Sequence, residues 1–456
     1  MAFLDDNYLL SSAAGRDLFR GIAALPVVDP HNHANVKEIA DNSPYTSAWQ
    51  LFAATDHYVW EMLRKCGVPE ELITGGASPR EKFLTMAKVF PLIAGNPVYE
   101  WIHLDLKRYF GIDEVLSEAT GERICDAVDA KLATPAFRPQ ELLQGPLNVE
   151  TMSSTDDLID MLDDHKRANA QLSRTVIRPT WRPDKAMKIA APGWRAYIAQ
   201  VEKRFAMRIA SLADLFEAMR RSHDHFAECG CRASDHGFEL LPDVSVDPAA
   251  ADRVFRRALA GEKISAADAA LYAGAFFAEA AKLNAETGWV TQLHMGAVRD
   301  VRAVLFDTLG PDSGGDVSYH MQEMLPALTA LLNAFESRLK VVLYSLDPGH
   351  WPTLATVSRA FGATVTCGAA WWLNDTPCGM RRQMEYLASI DLLSNYAGMV
   401  SDSRKLLSYG SRFEMFRRIL ADVVGTMVER GQMPADVAQA LVKRIAYEGP
   451  KRFWNL

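Results

Sequence analysis

Residues 26–35, PVVDPHNHAN, carry an apolar run that ends in two histidines one residue apart. In an extended strand, positions i and i+2 share a face. His31 and His33 therefore present both imidazoles on one side, where Pro26-Val27-Val28 stops being buried. Such a pair suits a divalent metal. It is as often structural, so the rest of the chain decides the reading.

Seven further runs are short, apolar and rich in β-branched residues: 149–153, 174–179, 231–235, 289–294, 340–345, 364–368 and 396–401. Segments with helical period separate most of them, including 157–169, 186–226, 249–286 and 320–337. Strands alternating with helices predict parallel βαβ units, and eight of them predict an α/β fold of the closed (β/α)8 TIM barrel type. More than a hundred residues without strand signal follow the first run. Helical segments at 48–52, 58–65, 79–90 and 98–110 make that stretch a helical insertion from the first βα loop. The expected organisation is an N-terminal segment with strand one (1–36), a mainly helical insertion (37–147) and the remaining barrel (148–456), closed by an amphipathic helix over 413–430.

With 456 residues, 49% hydrophobic and 23% charged, the chain can fill a large globular core. A net charge of −8 excludes the basic footprint of a nucleic-acid binder. Asp5 and Asp6 stand where a secretory signal carries Lys or Arg, and no run of about 18 apolar residues predicts a membrane span. The six cysteines include no CxxC pair, and Cys229-Gly230-Cys231 reads as small residues at a strand start. A reducing cytoplasm is the expected compartment.

Polar residues just past C-terminal strand ends converge on one mouth of a barrel. Six of the eight ends carry them. Run one ends in His31 and His33, and run two precedes Thr155-Asp156-Asp157. Run three leads to Arg182, run four to Asp235 and His236, run five to His294, and run eight to Asp402 and Arg404. Imidazole, carboxylate and guanidinium are the groups that hold a divalent metal and an anionic substrate.

An HxH at the first strand, a His at the fifth and an Asp at the eighth resemble the amidohydrolase superfamily of metal-dependent barrels. The finer pattern is similar to uronate isomerase (glucuronate isomerase). It comprises DDNYLL, TDHYVW, ITGGASPREKF, GNPVYEWIHLDLKRYFGID, TDD, RPTWRPDKA, RASDHG, QLHMGAVR, LGPDSGGD, WWLND, GMRRQMEYL and SDSRKLLSYGSRFEMFRRIL, in order from residue 5 to residue 420. The resemblance implies an aldose–ketose isomerase interconverting aldohexuronates and ketohexuronates. It makes His31, His33 and Asp402 ligands of one divalent metal, zinc, and Asp402 the acid/base as well. Asp402 could otherwise simply cap a helix. Tyr58, in a helix where a tyrosine ordinarily just packs, becomes a proton shuttle with His57 beside it. Arg182 and Arg404 would orient the sugar acid, with Asp235, His236, Trp371 and Trp372 around it. His294 joins the site, toward metal or substrate.

Isomerisation moves a proton from C2 to C1, so it needs a positioned base and stabilisation of an enediol. A carboxylate can take that proton and return it next door, while a phenol passes one between the two oxygens. Asn32 between the histidines and the loop Ala34-Asn35-Val36 depart from the family pattern. The sixth strand end, Ser345-Leu346-Asp347, lacks the histidine of two-metal relatives, which implies one metal. A metal-dependent hydrolase acting on a sugar acid, lactone or amide is the main competing reading, and a catalytically silent sugar-acid binder of the same fold is another. Hydrolysis through water has no use for Tyr58 or the two arginines. A small-molecule sugar acid is the expected partner, without nucleic acid or membrane, in a homo-oligomer.

Overall fold

A computed structural model describes residues 3–456; the first two residues of the N-terminal segment lie outside that range. The strands are β1 (Val27–Asp29), β2 (Val149–Ser153), β3 (Asp156–Asp157), β4 (Val176–Arg178), β5 (Trp181–Arg182), β6 (Ala233–Phe238), β7 (Val290–Met295), β8 (Ala297–Val298), β9 (Val317–Ser318), β10 (Lys340–Ser345) and β11 (Val365–Cys367). All pairings are parallel except the small β8–β9 hairpin. Parallel neighbours need long crossovers, and here helices supply them and cover the sheet. Burial is accordingly continuous along β7 and nearly so along β6 and β10, rather than alternating.

The sheets run β1-β2-β4 and β3-β5-β6-β7-β10-β11. Because β2 continues into β3, and β4 into β5, the strand runs lie side by side in chain order. The eighth expected strand, 396–401, is corrected: it forms no strand. It still bridges the two ends of the series. Ala397 N–H donates to the Cys367 carbonyl (3.2 Å) and Asp402 N–H to the His31 carbonyl (3.1 Å), while His33 N–H donates to Ser403 (2.9 Å). The ladder is broken by left-handed backbone at Gly398 (φ 91°) and Asp402 (φ 47°).

Between β1 and β2 the described residues form helices and turns without a strand. Two of those helices, His57–Lys65 and Pro97–Phe110, carry Tyr58 and Trp101. The long helical segments expected over 186–226 and 249–286 are each divided. The first becomes Asp184–Met187, Trp194–Phe205 and Leu212–Glu228; the second becomes Pro248–Leu259 and Ala266–Thr287. The breaks fall at left-handed Gly193, Ala206 and Gly261, and Ser211 and Ser265 cap the helices that follow. All six cysteines are free, and among the described residues no helix is long and apolar enough to cross a membrane.

The helix Ser408–Glu429 returns the chain from the last run and crosses the N-terminal helix Ala13–Ile22. A methyl group on Gly425 would lie 2.4 Å from the Gly15 nitrogen and 2.5 Å from its Cα. Alanine would gain about 1 kcal/mol of helix propensity, but overpacking against backbone costs about 1–3 kcal/mol or more. We expect Gly425→Ala to lower the melting temperature in calorimetry; a value at or above wild type would contradict this contact.

Candidate active site

The two histidines lie just beyond β1 and are placed by its exit and by the returning chain. Asp29 accepts from Ser401 through N–H (2.9 Å) and Oγ–H (2.6 Å), which fixes the residue preceding Asp402. Together with the backbone bonds above, this brings His31 Nε2 and His33 Nε2 each 3.2 Å from Asp402 Oδ1. The other carboxylate oxygen accepts from Trp371 Nε1–H at 2.9 Å. Burial would raise the Asp402 carboxyl, but its two imidazoles hold it well below the usual range. Its left-handed backbone is the kind of local strain that persists where surroundings over-determine it.

A second group, His31, Asp235 and His294, is fully buried. His294 Nδ1 lies 2.7 Å from Asp235 Oδ1, while Arg182 places a guanidinium nitrogen 3.1 Å from Asp235 Oδ2. A carboxylate already paired with arginine is a poor ligand for a second cation. The His31–His33–Asp402 set, with two nitrogens and an oxygen within 4.8 Å of one another, fits a metal better. Because Asp235 can only accept, His294 carries its proton on Nδ1 and keeps a lone pair on Nε2. That atom is buried without a partner. Burial pushes the His294 pKa down to about 4, so the ring is neutral. It lies 4.6 Å from His31 and from Trp371, stacked on Tyr344.

Tyr58 and His57 come from the helical segment after β1. Asp56 caps their helix, accepting from Tyr58 N–H (3.0 Å), and its carboxylate also pairs with Lys405 Nζ at 2.8 Å. That lysine donates to the Phe52 carbonyl as well, so the helix start is pinned three residues beyond Asp402. The His57 and Tyr58 rings stack at 4.7 Å. Burial, with Arg404 next, pushes His57 down to about 4. Tyr58 Oη is buried without a well-directed hydrogen bond.

Arg182 is held between Asp235 and Asp184, and its guanidinium passes so close to Gly237 that a Cβ there would sit 2.8 Å from it. Arg404 faces Asp312, whose carbonyl and carboxylate lie 3.4 Å from its guanidinium nitrogens. Arg299 packs over Trp372, 4.5 Å from the ring, and pairs with Asp316 at 2.9 Å.

His236 is a correction. Its ring nitrogens lie 3.0 Å from Asp184 and 2.9 Å from Ser234 Oγ, and the ring packs on Phe238 and Phe277. Adjacent strand residues point to opposite faces, so when Asp235 faces the histidines His236 faces the helices. Asn32 Oδ1 accepts from Ala34 N–H, which keeps that side chain out of the ligand set. Arg299, Asp312, Asp375 and Arg412 are not among the sequence candidates, although all four stand inside the quoted motifs.

A family model described as glucuronate isomerase matches residues 1–454. A uronate isomerase of Thermotoga maritima is 49% identical over 98% of this chain and 99% of its own length. A crystal structure of uronate isomerase from Thermotoga maritima superposes with a TM-score of 0.97 at 48% identity, covering each chain completely. A Lactobacillus casei protein described as a metal-dependent hydrolase shares only the fold, with a TM-score of 0.53 at 13% identity over 96% of this chain and 97% of that one.

Proposed function

We propose, on the footing that the chain belongs to the glucuronate isomerase family, that it interconverts D-glucuronate with D-fructuronate and D-galacturonate with D-tagaturonate. The observation that carries this reading is the meeting of His31 and His33 with Asp402, drawn from opposite ends of the chain, with the Tyr58 phenol inside the field of that carboxylate. We read the parallel strands as a closed (β/α)8 barrel; supporting this, the series returns to its first strand through the 397–403 segment.

His31, His33 and Asp402 would hold one divalent ion, for which we take zinc, since two imidazoles and a carboxylate suit it. Bound there, the metal supplies Lewis-acid charge for the oxygens of the sugar acid. Arg182 and Arg404 orient the open chain through bidentate bonds to its carboxylate and hydroxyls. Asp235 fixes Arg182 and the His294 tautomer, leaving His294 Nε2 to accept a substrate hydroxyl. Trp371 and Trp372 wall the site.

In the aldose-to-ketose direction Asp402 takes the C2 proton and Tyr58 gives its hydroxyl proton to O1. The O2 proton then returns to Tyr58, and Asp402 delivers its proton to C1. Two protons move, and both carriers end as they began. His57, neutral and stacked on Tyr58, keeps the phenol in line.

The test is a panel of glucuronate, galacturonate and other aldehyde sugar acids in deuterium oxide. Ketose should form with deuterium at C1. Chelation should remove about one zinc per chain and most of the turnover, and zinc should restore both. Hydrolysis of a lactone or amide without ketose formation would overturn the isomerase reading. We extend the proposal to a homo-oligomer, supported by exposed Val304 and Phe306 on the helix Ala303–Leu309 and exposed Met321 beyond β9.

A further inference from the structure

Arg412 is among the least accessible charged side chains of the molecule, at 2% exposure, and it touches no surface acid. Burying a guanidinium is costly unless its partners are fixed. Its partners include Tyr58 and the residue directly before Asp402. Nε lies 2.9 Å from Asp375 Oδ2, a terminal nitrogen donates to the carbonyl of Ser401, and the guanidinium plane sits between two rings. Its carbon is 4.7 Å from the centre of Tyr58 and 4.4 Å from that of Trp101. Trp101 in turn meets Tyr58 edge-on at 5.8 Å.

We propose that Arg412, anchored by Asp375, is a positioning residue for Tyr58: it holds the phenol against the reacting oxygens and stabilises the phenolate formed between the two oxygen proton transfers. This inference rests on the isomerase reading above. A phenolate in a buried, low-dielectric site needs a fixed positive charge, and arginine remains charged there where lysine readily neutralises. Burial pushes the Tyr58 phenol well up, and Arg412 is the largest influence in the opposite direction. The same guanidinium bonds the carbonyl directly before Asp402, so a single side chain sets the relative place of both proton carriers. Asp375, itself 2% exposed, orients Arg412 rather than touching substrate.

The experiment is a double-mutant cycle on the full-length, metal-loaded protein, with ketose formation from glucuronate as readout. Arg412→Lys should lower kcat by roughly 10- to 100-fold and leave KM within about threefold, because the lost interaction acts in the transition state. The solvent deuterium isotope effect on kcat should rise as oxygen proton transfer becomes slower. In a Tyr58→Phe background the same change should cost less than about threefold. The near-isosteric Asp375→Asn should reproduce the pattern at smaller amplitude, and it carries the test if circular dichroism shows Arg412→Lys unfolded. Equal losses in both backgrounds, or an unchanged kcat, would overturn the proposal and leave isomerisation standing. A wild-type protein that forms no ketose would overturn both.

Discussion

Asp402→Asn should leave a folded protein whose turnover of glucuronate is reduced by about a thousandfold or more. Asparagine keeps the shape of the side chain and tolerates the left-handed backbone found at this position (φ 47°). It can still accept from Trp371 Nε1–H, so the packing around it survives. What disappears is the charge facing His31 and His33 and, in the proposed mechanism, the group that takes the C2 proton. General-base removal alone costs about 10²–10⁴-fold, and the weaker ligand set adds to that. Three measurements check it: kcat with glucuronate, the far-ultraviolet circular dichroism melt, and zinc per chain. Wild-type turnover in this variant would assign the base elsewhere.

Tyr58→Phe should lower kcat by about 10²–10³-fold with KM changed by less than about threefold. The ring keeps its stack on His57 and its edge contact with Trp101. The deleted oxygen has no well-directed partner in the protein, so folding stability should move little. A rise in KM at constant kcat would make Tyr58 a binding group and leave the oxygen proton transfers without a carrier.

The legibility of this molecule from sequence divides along physical lines. The His31–His33 spacing and the placement of Asp402 were readable because both are local, lying where an apolar run gives way to polar residues. The strand runs were readable for the same reason, with Lys340–Ser345 recovered to the residue. His236 was misread although the rule that excludes it is also local: a two-residue alternation cannot put Asp235 and His236 on one face. The run 396–401 has strand composition, yet its backbone is spent on holding Asp402 against two histidines. Arg412 was hidden for a different reason. In sequence it is an ordinary cation in an amphipathic helix; only long-range packing on Asp375, Trp101 and Tyr58 shows what it does.

The ion pair between Asp56 and Lys405, like the meeting of His31 with Asp402, joins residues at opposite ends of the polypeptide; the latter pair is separated by 371 positions. Such distant contacts are slow to form, because loop closure must be completed first. During synthesis, the His31–His33–Asp402 group cannot assemble until most of the polymer has left the ribosome. If the proposed ion sits in that group, its capture would favour chains whose two ends have already met.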